Sequence, residues 1–206
     1  MGIPTSRKGS CPHNAQHVLA FPAGGRRRFL ALGAAGLALP FLSRLSALVS
    51  AGPLTAPLPP DRRLSLYNIH TGEALAVEYC RSGRLVPDAL EKIDHILRDH
   101  RARETKPIDV RLLDLLYTLA RTLGTAGPYH VISGYRSPKT NDYLRTQGEG
   151  VAVNSLHLVG KAIDVRVPGI ALRDLYRTAV KLAWGGVGIY PASDFVHLDI
   201  GRVRTW

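Results

Sequence analysis

The residue types that could do chemistry crowd into the C-terminal third of the chain. Ser155-Leu-His157-Leu-Val-Gly160-Lys-Ala162-Ile-Asp164 is followed by Asp194-Phe-Val-His197-Leu-Asp199. Two imidazoles and a carboxylate, His157, His197 and Asp164, are enough protein ligands for a catalytic zinc that keeps water in its fourth position. His157 and Asp164 flank a turn containing Gly160 and can converge on one point. His197 alternates with apolar Val196 and Leu198, so on a strand it shares a face with Asp199 and not with them. Spacing alone leaves a second reading open: a loop histidine, a turn aspartate and a sheet histidine with ordinary partners, because this is not one of the tight metal motifs.

A second feature is Ser133-Gly134-Tyr135-Arg136-Ser137, placed directly after a strand-like run. Gly134 allows a sharp turn, and Arg136 then projects from a loop. Beside a metal, Arg136 would hold a carboxylate or the charge developing on a carbonyl oxygen; elsewhere it would pair with a surface acid. Arg81, Arg145 and Arg166 could each anchor a carboxylate, but on sequence alone the solvated-surface reading is the stronger for all three.

These side chains need a frame. Leu64–Ile69 and Ala74–Tyr79 read as two strands joined at His70-Thr71-Gly72-Glu73. Pro87 to His100 and Val110 to Leu123 carry apolar residues at helical spacing, the second stopped by Gly124. Tyr129 to Ser133 is a short strand, and Ser137-Pro138 an N-cap and first helical residue. A strand over 160–167, a helix over 171–184 and strands over 187–190 and 195–200 complete the chain. Helices cluster early and hairpin-like strands come last, which predicts an α+β fold on a small antiparallel sheet with helices on one side.

The chain has 206 residues, 45% of them hydrophobic, with 27 basic and 16 acidic side chains and a net charge of +11. That excludes a wholly disordered chain, and two cysteines exclude a disulfide scaffold. Residues 1–51 hold Arg7, Lys8, Arg26, Arg27, Arg28 and Arg44 and no acid, so residues 52–206 carry only +5. A nucleic-acid binder needs a clustered basic face with stacking aromatics, and this balance argues against one. Arg26-Arg27-Arg28-Phe29-Leu30 opens a modestly apolar run to Val49, the layout of a twin-arginine export signal, with Val49-Ser50-Ala51 suited to a signal peptidase. Arg44 argues against a clean spanning helix. Export places the protein in the periplasm, tethered to the membrane only if the leader stays uncleaved. Pro53, Pro57, Pro59 and Pro60 make 52–61 an extended linker, leaving a domain over 62–206. If the leader is removed, Cys11 leaves with it, and Cys80 is expected to be an unpaired, buried small residue at a strand end.

Ser-Gly-Tyr-Arg-Ser, Ser-x-His-x-x-Gly-x-Ala-x-Asp, Gly-x-Gly-x-Tyr-Pro and Phe-Val-His-x-Asp-x-Gly-x-x-Arg-x-Trp, in that order over residues 62–206, resemble the zinc D-Ala-D-Ala carboxypeptidase and dipeptidase family. That family includes VanX and phage endolysins, and the most similar branch is the exported, YcbK-like murein endopeptidases. The resemblance implies the small α+β fold shared with the hedgehog signalling domain. It implies Zn2+ held by His157, Asp164 and His197, with Asp194 as general base where the family usually has Glu. Asp199 is the competing carboxylate, placed by preference behind His197. Arg136 would stabilise the oxyanion, and Ser155 would contact substrate. The implied activity is hydrolysis of cross-link or stem peptides of peptidoglycan. The alternative within the same fold is a zinc-containing, murein-binding module without turnover. Oligomeric state and the scissile bond are not legible.

Overall fold

A computed structural model of the chain describes residues 9–11, 58–147 and 151–206. The expected leader (residues 9–11 apart) and the linker up to residue 57 lie outside the described residues, and everything described falls within one compact unit. No helix among the described residues is long and apolar enough to cross a membrane.

Strand β1 (Arg62–Asn68) alternates buried and more exposed positions, and forms a hairpin with β2 (Ala74–Arg81). The turn is fixed by Asn68, whose Oδ1 accepts from the amides of His70 and Thr71. After the short β3 (Arg84–Leu85), helix α1 (Pro87–Ile96) opens on Pro87 and buries Leu90, Ile93 and Ile96. It stops four residues before the periodicity predicts. Asp99 Oδ1 accepts from the amides of Arg101 and Ala102, and this local side-chain turn displaces further helix. Helix α2 (Val110–Leu123) matches its predicted span: the Asp109 carboxylate caps its start and Gly124 ends it in the left-handed conformation. Strand β4 (Tyr129–Ser133), α3 (Pro138–Thr146), β5 (Ala162–Arg166), α4 (Leu172–Leu182), β6 (Gly186–Tyr190), β7 (Phe195–Asp199) and β8 (Arg204–Thr205) follow.

All eight strands form one sheet in the order β3-β2-β1-β4-β5-β7-β6-β8. The α+β class is as predicted, but the sheet is neither small nor purely antiparallel: β1–β4 and β6–β8 are parallel. The first parallel pair has a physical cause. Between β1 and β4 the chain makes β2, β3, α1 and α2, a connection long enough to return it to the same end of the sheet.

The register sorts side chains between the two faces. Val131 pairs with Val165, Val165 with Val196 and Val196 with Ile189. Valines 131, 165 and 196 form the core with Leu64, Leu66, Ile163, Val187 and Leu198 and with the apolar residues of α1, α2 and α4. The alternate set, Asp164 paired with His197 and His197 with Gly188, faces the other way.

Cys80 is buried at a strand end as expected, but not unpaired. In the full chain it forms a disulfide with Cys11, Cα–Cα 6.6 Å. The Cys11 amide donates to Gly83 and the Leu85 amide to Gly9, so residues 9–11 lie along the β3 edge and bring Cys11 to Cys80. The expectation of a lone cysteine rests on losing the leader.

A His–Asp–His cluster on the open face of the sheet

Two neighbouring strands and one short turn build the cluster. Asp164 on β5 and His197 on β7 are directly paired in the antiparallel register. His157 arrives on a 3-10 turn, Leu156–Val159. Ser155 caps that turn, its Oγ accepting from the His157 amide, and Gly160 closes it at φ 65°. At Gly160 a Cβ would also collide with the Pro107 carbonyl, so a residue with a side chain would displace the turn that delivers His157.

The hydrogen bonds orient each ligand atom. The His157 Nδ1–H donates to the Gly134 carbonyl at 2.7 Å, leaving Nε2 with a lone pair. His197 turns its Nε2 toward Asp199, 3.2 Å away, leaving Nδ1 facing inward. His197 Nδ1 is 2.8 Å from Asp164 Oδ1, His157 Nε2 is 3.3 Å from Asp164 Oδ2, and the two inward ring nitrogens are 3.2 Å apart. The three potential ligand atoms lie within 4.8 Å of one another. Burial disfavours the charged forms, but the ion pairing outweighs it. Asp164 is held well below the usual carboxylate range by His157 and His197, while Asp164 and Asp199 raise His197 to about 9. Two imidazole nitrogens and an ionised carboxylate converging on one point fit a divalent metal of the zinc type, which would displace the proton His197 shares with Asp164.

The other predicted site residues are only partly gathered here. Arg136 is: its Nη2 is 3.6 Å from Asp164 Oδ2 and 3.3 Å from Ser133 Oγ, and its amide donates to the His157 carbonyl. Asp199 stands behind His197, fully buried, its carboxylate accepting from the amides of Gly186 and Gly201, from two nitrogens of Arg204 and from His197. These donors outweigh the burial penalty and keep Asp199 ionised. Asp194 follows Pro191–Ser193 in the left-handed conformation (φ 51°). It is 64% exposed, and its Oδ2 is held by Arg166 Nη1 at 3.2 Å, outside the His–Asp–His hydrogen bonds. Ser155 serves as a cap.

Three supports escaped the sequence reading. The Gly134 carbonyl fixes the His157 tautomer, and a Cβ at Gly134 would collide with the Leu97 carbonyl. Asp99 receives the Ser137 amide and ties the Arg136 loop to the end of α1. Trp206 lies against Gly188 with its ring 5.3 Å from His197, and donates from Nε1 to the Tyr190 hydroxyl. Arg204 and Trp206 sat in the quoted C-terminal motif without a role; the opposite charges of Asp199 and Arg204 were the available signal.

An α+β domain with such a cluster on the open face of its sheet has the frame of a metal-dependent hydrolase. The chain belongs to the peptidase family whose model, Peptidase_M15_2, is described as Peptidoglycan L,D-endopeptidase MepK; the match spans residues 57–206. It is 43% identical over 183 residues to the Peptidoglycan L,D-endopeptidase MepK of Escherichia coli K12, covering 88% of this chain and 96% of that protein. The corresponding protein of Shigella flexneri is equally similar. The Probable peptidoglycan L,D-endopeptidase MepK of Haemophilus influenzae is 39% identical over 88% of this chain and 95% of its own length.

Proposed function

We propose that this protein is a zinc-dependent peptidoglycan endopeptidase, exported by the twin-arginine route and acting on murein cross-link or stem peptides in the periplasm. One observation carries the metal reading: His157 Nε2, His197 Nδ1 and an Asp164 carboxylate oxygen lie within 4.8 Å of one another, three ligand atoms facing one point once the His197 Nδ1 proton is displaced. Membership in a family described by its action on peptidoglycan supports the substrate class. The leader's arginines ahead of an apolar run support export.

His157, Asp164 and His197 would hold the ion. A bound Zn2+ supplies a Lewis acid that polarises the scissile carbonyl and makes water a nucleophile near neutral pH. Asp199 keeps His197 in the tautomer that presents Nδ1. Arg136, fixed beside Asp164 by the loop that also holds His157, is placed to share charge on the tetrahedral oxygen. Asp199 cannot act as the base, because five donors already occupy its oxygens. Asp194 is solvent-exposed and pairs with Arg166, which shares the face of Asp164. It would take the proton of the attacking water and pass it to the leaving amine.

The test is a digest of isolated murein with the full chain, with and without chelator, beside His157→Ala, the fragments read by mass spectrometry. Chelator-sensitive release of peptides, absent in the variant, is the expected result. An inert protein that still retains zinc would turn the assignment to a murein-binding module. The exposure of Asp194 and its pairing with Arg166 are the features that favour that second reading.

A further inference from the structure

The strand register places a row of flat and cationic side chains beside the cluster, on the same face of the sheet. His130 pairs with Arg166 across β4 and β5, Tyr67 with His130 across β1 and β4, and Tyr190 with Phe195 across β6 and β7. Arg166 is two residues from Asp164, and Phe195 two from His197, so both lie on the face of those ligands. The row therefore reads Tyr190, Phe195, Arg166, His130, Tyr67. Four strand steps make it about 19 Å long, and two residues along β5 set it about 7 Å from the ligand row. Its ends are aromatic platforms: Tyr190 and Phe195 stack at 4.6 Å, and Tyr67 and His130 meet at 4.9 Å. On the Tyr67 side the face opens into a concavity of about 480 Å3 that Ser65, Ala74 and Pro128 also line.

Arg166 is the cation at the centre of this row. Among the described residues its guanidinium makes one hydrogen bond, Nη1 to Asp194, and its side chain is 37% exposed. One monodentate partner leaves most of the five-donor fork open to a second carboxylate. The other two arginines of the sequence reading are placed differently: Arg81 pairs with Glu78 at the end of β2, and Arg145 with Asp142 on α3.

We propose that Arg166 is the receptor for a free carboxylate of the substrate, held on the aromatic row while the scissile bond lies at the cluster. The ligand class follows from the chemistry of cross-linked diaminopimelate. When the amine at its side-chain centre is acylated in a cross-link, the carboxylate on that same carbon, which the stem peptide does not use, remains free, adjacent to the new amide nitrogen. Arg166 stands two residues along β5 from Asp164, about 7 Å, so a carboxylate beside a scissile bond at the cluster falls within the length of an arginine side chain. Asp194 then has a second task, to hold the Arg166 fork in place. This inference rests on the endopeptidase reading, and it makes Arg166 a specificity-determining residue.

The experiment uses the zinc-loaded full chain and two synthetic cross-linked peptides that differ only in that carboxylate, free in one and amidated in the other. Binding and turnover are both measured for wild type, Arg166→Gln and Arg166→Lys. Wild type is expected to bind the free acid about 10- to 100-fold more tightly, the range of a charge-assisted pair. Arg166→Gln is expected to erase that preference through KM for the free acid, and Arg166→Lys to restore part of it. Equal binding of the two peptides by wild type overturns the inference. So does a fall in kcat by the same factor on both peptides in Arg166→Gln, since Arg166 would then act only through Asp194. If wild type keeps the binding preference but cleaves neither peptide, the endopeptidase reading fails and the carboxylate receptor stands.

Discussion

Two buried aspartates occupy opposite faces of the same sheet, and their surroundings push them in opposite directions. Asp114 on α2 sits in the helix-covered core, where Tyr79 donates to its Oδ1 at 2.8 Å and Arg62 Nε lies at 3.1 Å. Burial dominates there, and its pKa is raised despite both partners. Asp164 is nearly as enclosed, but two imidazoles outweigh burial and hold it ionised. The lesson lies in the partners. Arg62 has no lone pair to give, and Tyr79 keeps its proton because burial raises its pKa far above the usual tyrosine range, so the Asp114 cluster is a closed structural network. The partners of Asp164 are imidazoles whose inward nitrogens would become metal ligands once a proton leaves. The same residue type stabilises the fold on one face and, on the proposed reading, makes a loadable site on the other.

The most damaging change to the open face is loss of a ligand. His157→Ala or Asp164→Ala leaves two ligands, so tightly held metal, measured by elemental analysis after dialysis, is expected to fall from one ion per chain to background, and peptide release with it. Either variant retaining stoichiometric metal would break the contrast. On the other face, Asp114→Ala strands the buried Arg62 and is expected to cost about 3–5 kcal/mol in denaturant unfolding, with metal content unchanged. A small cost, or loss of the metal, would show that the two networks are not separate. Asp199→Asn leaves the ligands in place but removes the charge behind His197; a 10- to 100-fold weaker zinc affinity is expected from competition titration.

The pH dependence sharpens the comparison. With no metal, His197 is protonated up to about 9, above its unfolded value. Its ion pairs with Asp164 and Asp199 therefore stabilise the metal-free protein fully below about pH 6.5, the reference value for histidine, and that contribution is lost as pH rises through 9. Metal binding runs the other way, because the proton on His197 must leave. Affinity should rise about tenfold per pH unit up to pH 9 and then level off. A pH-independent affinity over that range would contradict the assignment of His197 Nδ1 as a ligand.

Much of this was legible in the residues because the signals were local. Gly124 ends α2, Ser137-Pro138 starts α3, and the alternation around His197 gives its face. The trio that the fold brings together, His157, Asp164 and His197, was nameable from residue type together with the family motifs. What was not legible depends on distant backbone. The tautomer of His157 is set by a carbonyl, that of Gly134, which no side-chain pattern reveals. The saturation of Asp199 comes from amides at Gly186 and Gly201 and from Arg204, brought together only when β6 and β8 join the sheet. The parallel β1–β4 pair follows from a long connection and not from any property of the two strands. Asp194 is a further case: the family resemblance marks it as a base, and only the fold shows that its charged partner is Arg166, contributed by β5.

The most direct test of the contrast is a calorimetric titration of the metal-free full chain with Zn2+ at pH 7.5 in two buffers of different ionisation enthalpy. One ion per chain, bound with release of about one proton, absent in His157→Ala and preserved in Asp114→Asn, is the predicted result. Saturable binding that persists unchanged in His157→Ala, or no saturable binding by the wild type, would contradict it.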